Sequence, residues 1–570
     1  MAVILASVAA SAIPWAVAFP AEPTLERLFP PAVAVGQSAE IRAEGKWEEW
    51  PLRVWCDRPD VEVTPGDEPG VLRVVVPAGN PPGIAWLRLL DDQGVSALAP
   101  LLVETDPVVV ESEPNDGVTE ATPVAMPMVA VGRLEKRGDV DGFRVAVREG
   151  ETLVASLTAH ELLGSPMDGV MQLADLRGNV LAQSDDVRGL DPQLVYRATE
   201  DSEWVIRIFA FPETATSAIS FAGEASFVYA LRATTGPFLD HVDPIAVGGR
   251  RGDESVVPVT LPTGIGDLDL DGPLPIRDTG GLAPRIATLE TASGWYWQPL
   301  LDPQAVTISM ADTSAGDALS RDVLLSELPA IVSGRMSEPD QIDRLRVPVE
   351  AGRRYRVRTY AKSLGFLMDP LVRVMDREGK VIAEHDDRSR NDFEAELTFS
   401  PKSDGQVQLL IADAVDGHGP RHAYAVWVGD ASPEVSLDVD ADRFRVTAGE
   451  TLEIPVRIAR TGGFEKSLTV TAEGLPAGVR VVPADSAPQG DTAKSVSIKL
   501  VADADNGPLQ SQFRIVARVG RPEADSGQPP HDGPPHDGPP HDGPDRYAGF
   551  QLRQGIRVES LWLTRVPASP

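Results

Sequence analysis

The stretch that decides the fold is LGSPMDGVMQLADLRGNVLAQSDD, from Leu163 to Asp186, because it recurs as LGFLMDPLVRVMDREGKVIAEHDD, from Leu364 to Asp387. Ten positions of the two stretches are identical at one constant offset. A second block upstream, Asp139–Val145 (DVDGFRV), matches Gln341–Val347 (QIDRLRV) in nearly the same register. Matching blocks at a fixed spacing are the signature of a repeated structural unit. The chain is therefore predicted to hold two copies of one domain.

Short alternating runs around this repeat indicate β-structure along the whole chain. In Thr451–Ile458 (TLEIPVRI) every second residue is apolar, as a strand with one buried face requires. The 50 Gly and 51 Pro residues are spread along the sequence and indicate many tight turns, whereas a sustained helical period is absent. The predicted fold class is all-β, with β-sandwich domains in series.

The charge balance limits the partners that the protein can have. The sequence contains 85 Asp and Glu residues against 52 Lys and Arg residues, which gives a formal net charge of −33. Such a surface repels phosphate backbones and attracts cations, so we expect no binding to nucleic acid. The single cysteine, Cys56, cannot form an intramolecular disulfide, and its place beside Trp55 favours a core residue over a reactive thiol.

The N-terminus has the composition of an export signal. Residues 1–19, MAVILASVAASAIPWAVAF, are nearly all apolar and small, although the usual positive charge at the start is missing. They predict a signal peptide over residues 1–18, with Ala16-Val17-Ala18 before the cleavage site and a mature chain that begins near Phe19. Since no later stretch approaches about 18 apolar residues, we expect the mature chain to have no transmembrane span. The expected location is extracytoplasmic: periplasmic, secreted or at the cell surface.

Three short motifs of the first copy follow one another in a fixed order. They are Glu111–Asp116 (ESEPND), Gly138–Phe143 (GDVDGF) and Tyr229–Arg232 (YALR). In this order they resemble the bacterial pre-peptidase C-terminal (PPC) domain, over residues 106–235 and more weakly over residues 323–430. The resemblance implies small jelly-roll-like β-sandwiches, which occur beside secreted peptidases and in large surface proteins. The longer arrangement also resembles secreted multidomain proteins of planctomycete-type bacteria.

The flanking segments have the short strands and turns of further β-domains, which gives a prediction for the whole chain. Its Pro-Pro-His-Asp-Gly copies are too rich in Pro and Gly to offset their ordering entropy by burial, so that segment is predicted to be disordered. The predicted regions are a signal peptide (1–18), an immunoglobulin-like domain (23–105), the first PPC-like copy (106–240), a β-rich connecting region (241–322), the second and degenerate PPC-like copy (323–430), and an immunoglobulin-like domain (433–570) with a disordered insertion (522–546).

Acidic residues of the first copy predict a calcium site. Glu111, Glu113 and Asn115 lie on one side of an extended segment because strand side chains alternate. Calcium takes about six to eight oxygen ligands from carboxylates, amides and carbonyls. The resemblance implies calcium in the same linker and acidic loop, where collagen-binding relatives hold it; the alternative is a solvated acidic linker. The predicted ligands are Glu111, Glu113, Asn115, Asp116, Asp139 and Asp141.

The second copy departs from this pattern. Its linker, Ser326–Pro329 (SELP), lacks the Glu-Pro-Asn-Asp run, and Gln341 stands where the first copy has Asp139. Asp340 and Asp343 alone make a poor cage for a cation. We therefore expect the second copy to bind no metal.

Two other stretches are weaker metal candidates. The acidic run after residue 266 has the ligand spacing of a calcium loop, but Pro273 and Pro275 intrude and an acidic turn is favoured. Imidazoles of the Pro-Pro-His-Asp-Gly copies could bind Zn²⁺ or Ni²⁺ weakly, but a disordered insertion is favoured. The residues concerned are Asp267, Asp269 and Asp271 in the first stretch and His531, His536 and His541 in the second.

No catalytic signature is recognisable in the sequence. It contains no G-x-S-x-G, no H-E-x-x-H, no P-loop and no reactive Cys–His context. The sequence therefore predicts a secreted, non-catalytic binding or structural protein that contacts an extracellular protein or polysaccharide, or a polymer of the envelope. The alternative is a non-catalytic accessory component, or a remnant, of a secreted peptidase or hydrolase.

Overall fold

The computed structural model describes most of the chain after residue 20. The predicted signal peptide and the Pro-Pro-His-Asp-Gly copies (529–543) lie outside the described residues. The described ranges are 21–211, 221–250, 257–261, 276–283, 285–289, 291–310, 316–317, 320–504, 507–519, 546–552 and 556–568. Within these ranges strands dominate, and the fold is all-β, as predicted.

The N-terminal module is a sandwich of two antiparallel-rich sheets. Its strands are β1 (Thr24–Phe29), β2 (Ala32–Ala34), β3 (Ser38–Lys46), β4 (Arg53–Cys56), β5 (Glu62–Pro65), β6 (Val71–Val75), β7 (Gly83–Leu90) and β8 (Ala99–Glu104). One sheet has the order β1-β3-β6-β5 and the other β2-β8-β7-β4. The unbroken apolar run of β7 is explained by burial on both faces: Leu87 enters the core of its own sandwich, while Trp86 packs against Val129 and Val131 of the next module.

The first PPC-like copy is a sandwich of two five-stranded sheets. Its elements are β9 (Val108–Val110), β10 (Thr122–Pro123), β11 (Met128–Arg133), β12 (Asp141–Val147), β13 (Thr152–Thr158), α1 (His160–Leu163), β14 (Asp168–Asp175), β15 (Val180–Ser184), β16 (Gln193–Arg197), β17 (Ser202–Phe211) and β18 (Val228–Thr234). The sheets have the orders β10-β12-β17-β14-β15 and β16-β13-β18-β11-β9. Phe143 and Leu231 lie in the core between them.

The connecting region contributes short strands. These are β19 (Phe238–Asp243), β20 (Val247–Arg250), β21 (Val257–Leu261), β22 (Ile276–Asp278), β23 (Arg285–Thr288), β24 (Trp295–Trp297), β25 (Leu300–Ser309), β26 (Gly316–Asp317) and β27 (Ser320–Leu324). β19 pairs with β21, and β22, β23 and β24 form a sheet of their own. Both β25 and β27 pair instead with strands of the second copy, so the sheets of that copy extend upstream of residue 323.

The second copy repeats the topology of the first. Its elements are β28 (Ala330–Arg335), β29 (Asp343–Val349), β30 (Tyr355–Tyr360), a 3₁₀ turn (Lys362–Leu364), β31 (Pro370–Met375), β32 (Val381–His385), β33 (Glu396–Phe399), β34 (Gly405–Asp413) and β35 (Ala423–Asp430). Its sheets have the orders β26-β27-β29-β34-β31-β32 and β20-β25-β28-β35-β30-β33. Apart from the added edge strands β26 and β20, they match the two sheets of the first copy strand for strand. Even a register shift recurs, after Leu173 in one hairpin and after Val374 in the other. The repeat in sequence is thus a repeat of topology.

The C-terminal module has a core of its own, and its strands form one connected eleven-stranded sheet. Its strands are β36 (Glu434–Asp438), β37 (Arg443–Thr447), β38 (Thr451–Thr461), β39 (Leu468–Glu473), β40 (Val479–Val482), β41 (Ala484–Ser486), β42 (Ser495–Ala502), β43 (Leu509–Val519), β44 (Arg546–Gln551), β45 (Arg557–Val558) and β46 (Leu561–Val566). In β38 buried and exposed residues alternate as the sequence predicts, with Ile454 and Val456 inside.

The first and last modules touch each other, so the modules do not form an open row. The buried guanidinium of Arg88 on β7 pairs with the buried carboxylate of Asp442. Close by, the rings of Trp55 and Trp562 meet edge to face with centroids 5.7 Å apart. Strand alternation does not reveal this contact, because it joins segments more than 300 residues apart.

Two carboxylates, the buried Glu104 and the partly buried Asp57, join the N-terminal module to its other neighbours. Glu104 at the end of β8 accepts hydrogen bonds from Arg232 of the first copy and from the indole of Trp295 in the connecting region, at 2.9 and 3.1 Å. Asp57 accepts hydrogen bonds from the backbone N–H groups of Trp86 and Leu282, each at 2.7 Å. Burial raises the pKa of Asp57 to about 6.

Candidate metal centre

Carboxylates of the first copy converge at one end of its sandwich. Oxygens of Glu111, Glu113 and Asp141 lie within 4.8 Å of one another. Glu111 and Glu113 lie between β9 and β10, and Asp141 begins β12 in the sheet opposite β9. The segment after the first strand of this copy is thereby brought against the opposite sheet.

Glu111 is held in place by the backbone of β11. Its N–H donates to the carbonyl of Val131 at 2.9 Å, and its Oε1 accepts from the N–H of Arg133 at 2.7 Å. Gly132 lies beneath the carboxylate, and a Cβ at this position would stand 2.1 Å from Oε2. Only glycine at position 132 therefore leaves room for the Glu111 carboxylate to pack against β11.

Asp141 is fully buried and shares a hydroxyl with Glu111. The Tyr229 hydroxyl lies 2.5 Å from Oδ2 of Asp141 and 3.0 Å from Oε2 of Glu111. A hydroxyl has one proton, so it can donate to only one of the two carboxylates at a time. The other oxygen of Asp141, Oδ1, has no hydrogen-bond partner among the described residues.

These contacts leave negative charge uncompensated in a buried place. Burial, followed by the charge of Glu111, raises the pKa of Asp141 to about 10. Burial also raises the pKa of Glu111 and Glu113, and the neighbouring charge of Asp139 adds to the effect on Glu113. Groups arranged in this way take up either protons or a cation.

Asn115 is a neutral residue next to the cluster, and its backbone N–H donates to Oε2 of Glu113 at 3.1 Å. Its side chain is fully buried, yet neither Oδ1 nor Nδ2 has a hydrogen-bond partner in the described part of the chain. A buried polar group without a partner costs about 1–3 kcal/mol, so such groups call for an explanation. Gly142 allows the Asn115 segment to approach, since a Cβ there would lie 2.9 Å from the Asn115 carbonyl oxygen.

Asp139 and Asp116 lie beside this cluster. Oδ2 of Asp139 accepts from the N–H of Glu135 at 2.5 Å, and its Oδ1 lies 3.5 Å from the ammonium of Lys136 without a hydrogen bond. Asp139 is fully buried, whereas Lys136 is exposed. The exposed Asp116 accepts from the N–H of Val140 at 3.3 Å. These contacts hold the acidic loop in place and leave Oδ1 of Asp139 available to a ligand.

The second copy has a guanidinium where the first has this cluster. Asp343 occupies the position of Asp141, at the start of β29, and is also fully buried. Arg321 on β27 donates to both carboxylate oxygens of Asp343, at 2.9 and 2.5 Å, and to the carbonyl of Arg335 at 2.6 Å. The negative charge that remains open in the first copy is therefore neutralised by a side chain in the second.

The groups around Asp343 repeat those around Asp141. The Tyr424 hydroxyl donates to Oδ2 of Asp343 at 2.7 Å, as the Tyr229 hydroxyl does in the first copy. Gln341 replaces Asp139: its Oε1 accepts from the N–H of Ser337 at 2.7 Å, and its Nε2 donates to Oδ1 of Asp343 at 3.0 Å. The second copy thus has a neutral amide where the first has the carboxylate of Asp139. It also has the guanidinium of Arg321 beside its buried aspartate, so the charge of Asp343 is balanced by a side chain.

Sequence reasoning missed three residues of the two centres. Tyr229 and Tyr424 recur at equivalent places of the closing strands β18 and β35, and this signal could have identified them. Arg321 left no comparable signal, because it precedes the repeated blocks and reaches Asp343 only through the parallel pairing of β27 with β29. The weaker candidates Asp267, Asp269 and Asp271 lie outside the described residues.

The donor set of the first copy fits a hard cation. Its oxygens come from carboxylates and from the orphaned amide of Asn115, the donor types that Ca²⁺ prefers over nitrogen and sulfur. Glu111, Glu113, Asn115, Asp139 and Asp141 would hold such an ion, and Asp116 would steady the loop that carries Asp139.

Comparisons with known proteins give short or distant similarities. A scan against models of protein families gives no match. Over 98 residues the chain is 29% identical to a probable subtilase-type serine protease of Deinococcus radiodurans, a segment that spans 17% of this chain and 14% of that protein.

Two solved structures are similar at low sequence identity. The pre-peptidase C-terminal domain of a collagenase from Bacillus anthracis is 12% identical, with all of that domain and 22% of this chain covered at a TM-score of 0.16. The fibronectin(III)-like modules of Clostridium thermocellum CbhA are 10% identical, with 87% of that structure and 38% of this chain covered at a TM-score of 0.12. These TM-scores are low, so the fold assignment rests on the strand order described above. In the described part of the chain, no helix is both long and apolar enough to cross a membrane.

Proposed function

We propose that the protein is a secreted, non-catalytic binding or structural protein whose first PPC-like copy is stabilised by calcium. The observation that carries this proposal is the contrast between the two copies. One copy gathers carboxylates and the orphaned amide of Asn115, and the other fills the equivalent place with Arg321. In this proposal a positive charge occupies the same position of both copies: calcium in the first and the guanidinium of Arg321 in the second.

Calcium would act on the segment that connects the two sheets of the first copy. Glu111 and Glu113 lie between β9 of one sheet and β10 of the other, and Asp141 begins β12. An ion shared by these residues fixes this segment and relieves the repulsion among them. The role we assign to the ion is the stabilisation of the first copy.

The binding partner in this proposal is an extracellular protein or polysaccharide, or a polymer of the envelope. The net charge of −33 supports an extracytoplasmic role without nucleic acid. The second candidate, an accessory component or remnant of a secreted peptidase, is favoured by the 98-residue similarity to a probable subtilase-type protease. A gene for a secreted peptidase beside the gene of this protein would support the second candidate.

Calorimetry of the full chain tests the calcium site. Titration of Ca²⁺ should give binding heat, and scanning calorimetry should show one transition that shifts upward relative to EDTA. The stabilisation is about 2.7 kcal/mol when free calcium is about 100 times Kd, and extracellular modules bind with Kd of about 10⁻⁴–10⁻³ M. Glu113→Gln, at an exposed ligand, should weaken both effects.

The matched control is Glu203→Gln, which removes an exposed carboxylate from β17 of the same sandwich. It should leave the calcium response at the wild-type level. The calcium site would be refuted if the two variants responded equally. It would also be refuted if the wild type gave no binding heat and no calcium-dependent shift; the cluster would then be a solvated acidic segment.

A further inference from the structure

A pocket lies where the first copy, the connecting region and the second copy meet. The space between its walls is about 560 Å³ when the open solvent is included. Trp295, Tyr296 and Trp297 of β24 form one wall, and Phe366 of the second copy forms another. Arg188 enters from the loop after β15 of the first copy. Three modules therefore contribute to one concave site, which is a common place for a ligand.

Two polar side-chain atoms of the aromatic wall are already engaged. The indole N–H of Trp295 donates to Glu104 at 3.1 Å, and the hydroxyl of Tyr296 donates to the carbonyl of Ile245 at 2.8 Å. The aromatic residues thus present mainly carbon to the pocket. A ligand rich in hydroxyl groups would find neither of these two groups free to replace the hydrogen bonds that it loses to water.

The second arginine of the pocket, Arg421, is satisfied within the protein. It donates to Asp240 at 2.7 Å, to the carbonyl of Gly365 at 2.6 Å and to the carbonyl of Val187 at 3.3 Å. Its guanidinium also lies 5.1 Å from the centre of the Phe366 ring. Arg421 is therefore part of the wall.

Arg188 is in a different situation. It is half-buried, and its guanidinium makes no hydrogen bond or ion pair with any of the described residues. The nearby acids are engaged elsewhere: Asp240 binds Arg421 and His241, and Asp191 accepts the backbone N–H groups at the start of α1. Burial and the charge of Arg421 lower the pKa of Arg188 to about 10. The pocket thus holds a guanidinium that forms no ion pair with a carboxylate of the described residues.

We propose that this pocket binds a small organic carboxylate with an apolar body, whose carboxylate pairs with Arg188 and whose body packs against the aromatic wall. A guanidinium binds a carboxylate through two parallel hydrogen bonds. The net charge of −33 opposes the approach of a large polyanion, so a single carboxylate fits the surroundings better than an acidic polymer. The source is either a free acid or the terminal carboxylate of a peptide.

Phenylacetate and N-acetyl-Gly-Phe are the probes, titrated into the full chain by calorimetry with their neutral amides as controls. At least one acid should bind, and its amide should bind at least roughly tenfold more weakly, because a hydrogen bond to a charged group is lost. Binding of phenylacetate identifies free acids as ligands, and binding of the peptide alone identifies chain termini.

Arg188→Met should reduce this binding at least roughly tenfold without lowering the melting temperature, because the guanidinium has no partner to lose. Arg197→Met, at an exposed arginine of β16 in the same sandwich, should bind as the wild type does. The proposal is overturned if neither acid binds at about 10 mM, a concentration that detects even weak ligands. It is equally overturned if Arg188→Met binds unchanged, or if this variant melts several degrees lower and so reveals a structural partner.

Discussion

Replacement of Arg321 by methionine should destabilise the second copy and leave the calcium response of the first unchanged. The substitution keeps the length and apolar stem of the side chain but removes the guanidinium. Asp343 then stays fully buried without its cation, and the carbonyl of Arg335 loses a donor. Breaking a buried ion pair by removing one partner costs about 3–5 kcal/mol.

The local contacts place the expected loss near the lower end of that range. Two donors to Asp343 remain in the variant, the Tyr424 hydroxyl at 2.7 Å and the Gln341 amide at 3.0 Å. Arg321 is itself about one-fifth exposed, so water can reach the edge of the site. We therefore expect a loss of about 3 kcal/mol in the free energy of unfolding, or on the order of 10 °C in the melting temperature of that transition.

Scanning calorimetry of the full chain, in calcium and in EDTA, measures this loss. Asp343→Asn in the Arg321→Met background should recover part of it, because the uncompensated charge disappears while an acceptor for Tyr424 remains. The coupling between two such sites is typically about 0.5–3 kcal/mol. Arg390→Met, at an exposed arginine of the same copy, is the control and should melt as the wild type does.

Two results would refute the reasoning. If Arg321→Met melted within a degree of the control, the guanidinium would not be the counter-ion of Asp343. If the second substitution lowered the stability further by the amount that it costs alone, the two residues would be energetically independent despite their contact.

Three further predictions concern other places in the fold. Gly132→Ala should weaken calcium binding by tenfold or more, on the order of 1.4 kcal/mol, because the new methyl group displaces the Glu111 carboxylate. Titration calorimetry measures the affinity, and an unchanged affinity would contradict this geometry. The raised pKa of Asp57 means that the native state holds a proton that the unfolded state has released, so the free energy of unfolding should fall by up to about 3 kcal/mol as the pH rises from about 4 to about 6. Denaturant unfolding across this range should show that Asp57→Asn flattens the decline. Arg88→Met should cost about 3–5 kcal/mol by leaving Asp442 buried and unpaired, and scanning calorimetry should show partial recovery when Asp442→Asn is added; equal melting of Arg88→Met and the wild type would argue against a stabilising contact between the first and last modules.

Much of the candidate site follows from local sequence pattern. The alternation of side chains along an extended segment places Glu111 and Glu113 on one side, and the repeat identifies Asp343 as the counterpart of Asp141. The pattern does not show which of these carboxylates are buried. It also does not reveal that Asn115, an ordinary surface residue by type, is enclosed without a hydrogen-bond partner.

The sequence by itself determined the all-β class, the repeated unit and the acidic residues of the first copy, because strand periodicity and internal identity are properties of neighbouring residues. Only the tertiary structure decided that Arg321 neutralises Asp343, that Arg88 joins the first module to the last, and that Arg188 stands alone in an aromatic pocket. Each of these depends on which strands and loops meet across long separations in the chain. That choice is made by the burial of whole sheet faces, and no short pattern in the sequence encodes it.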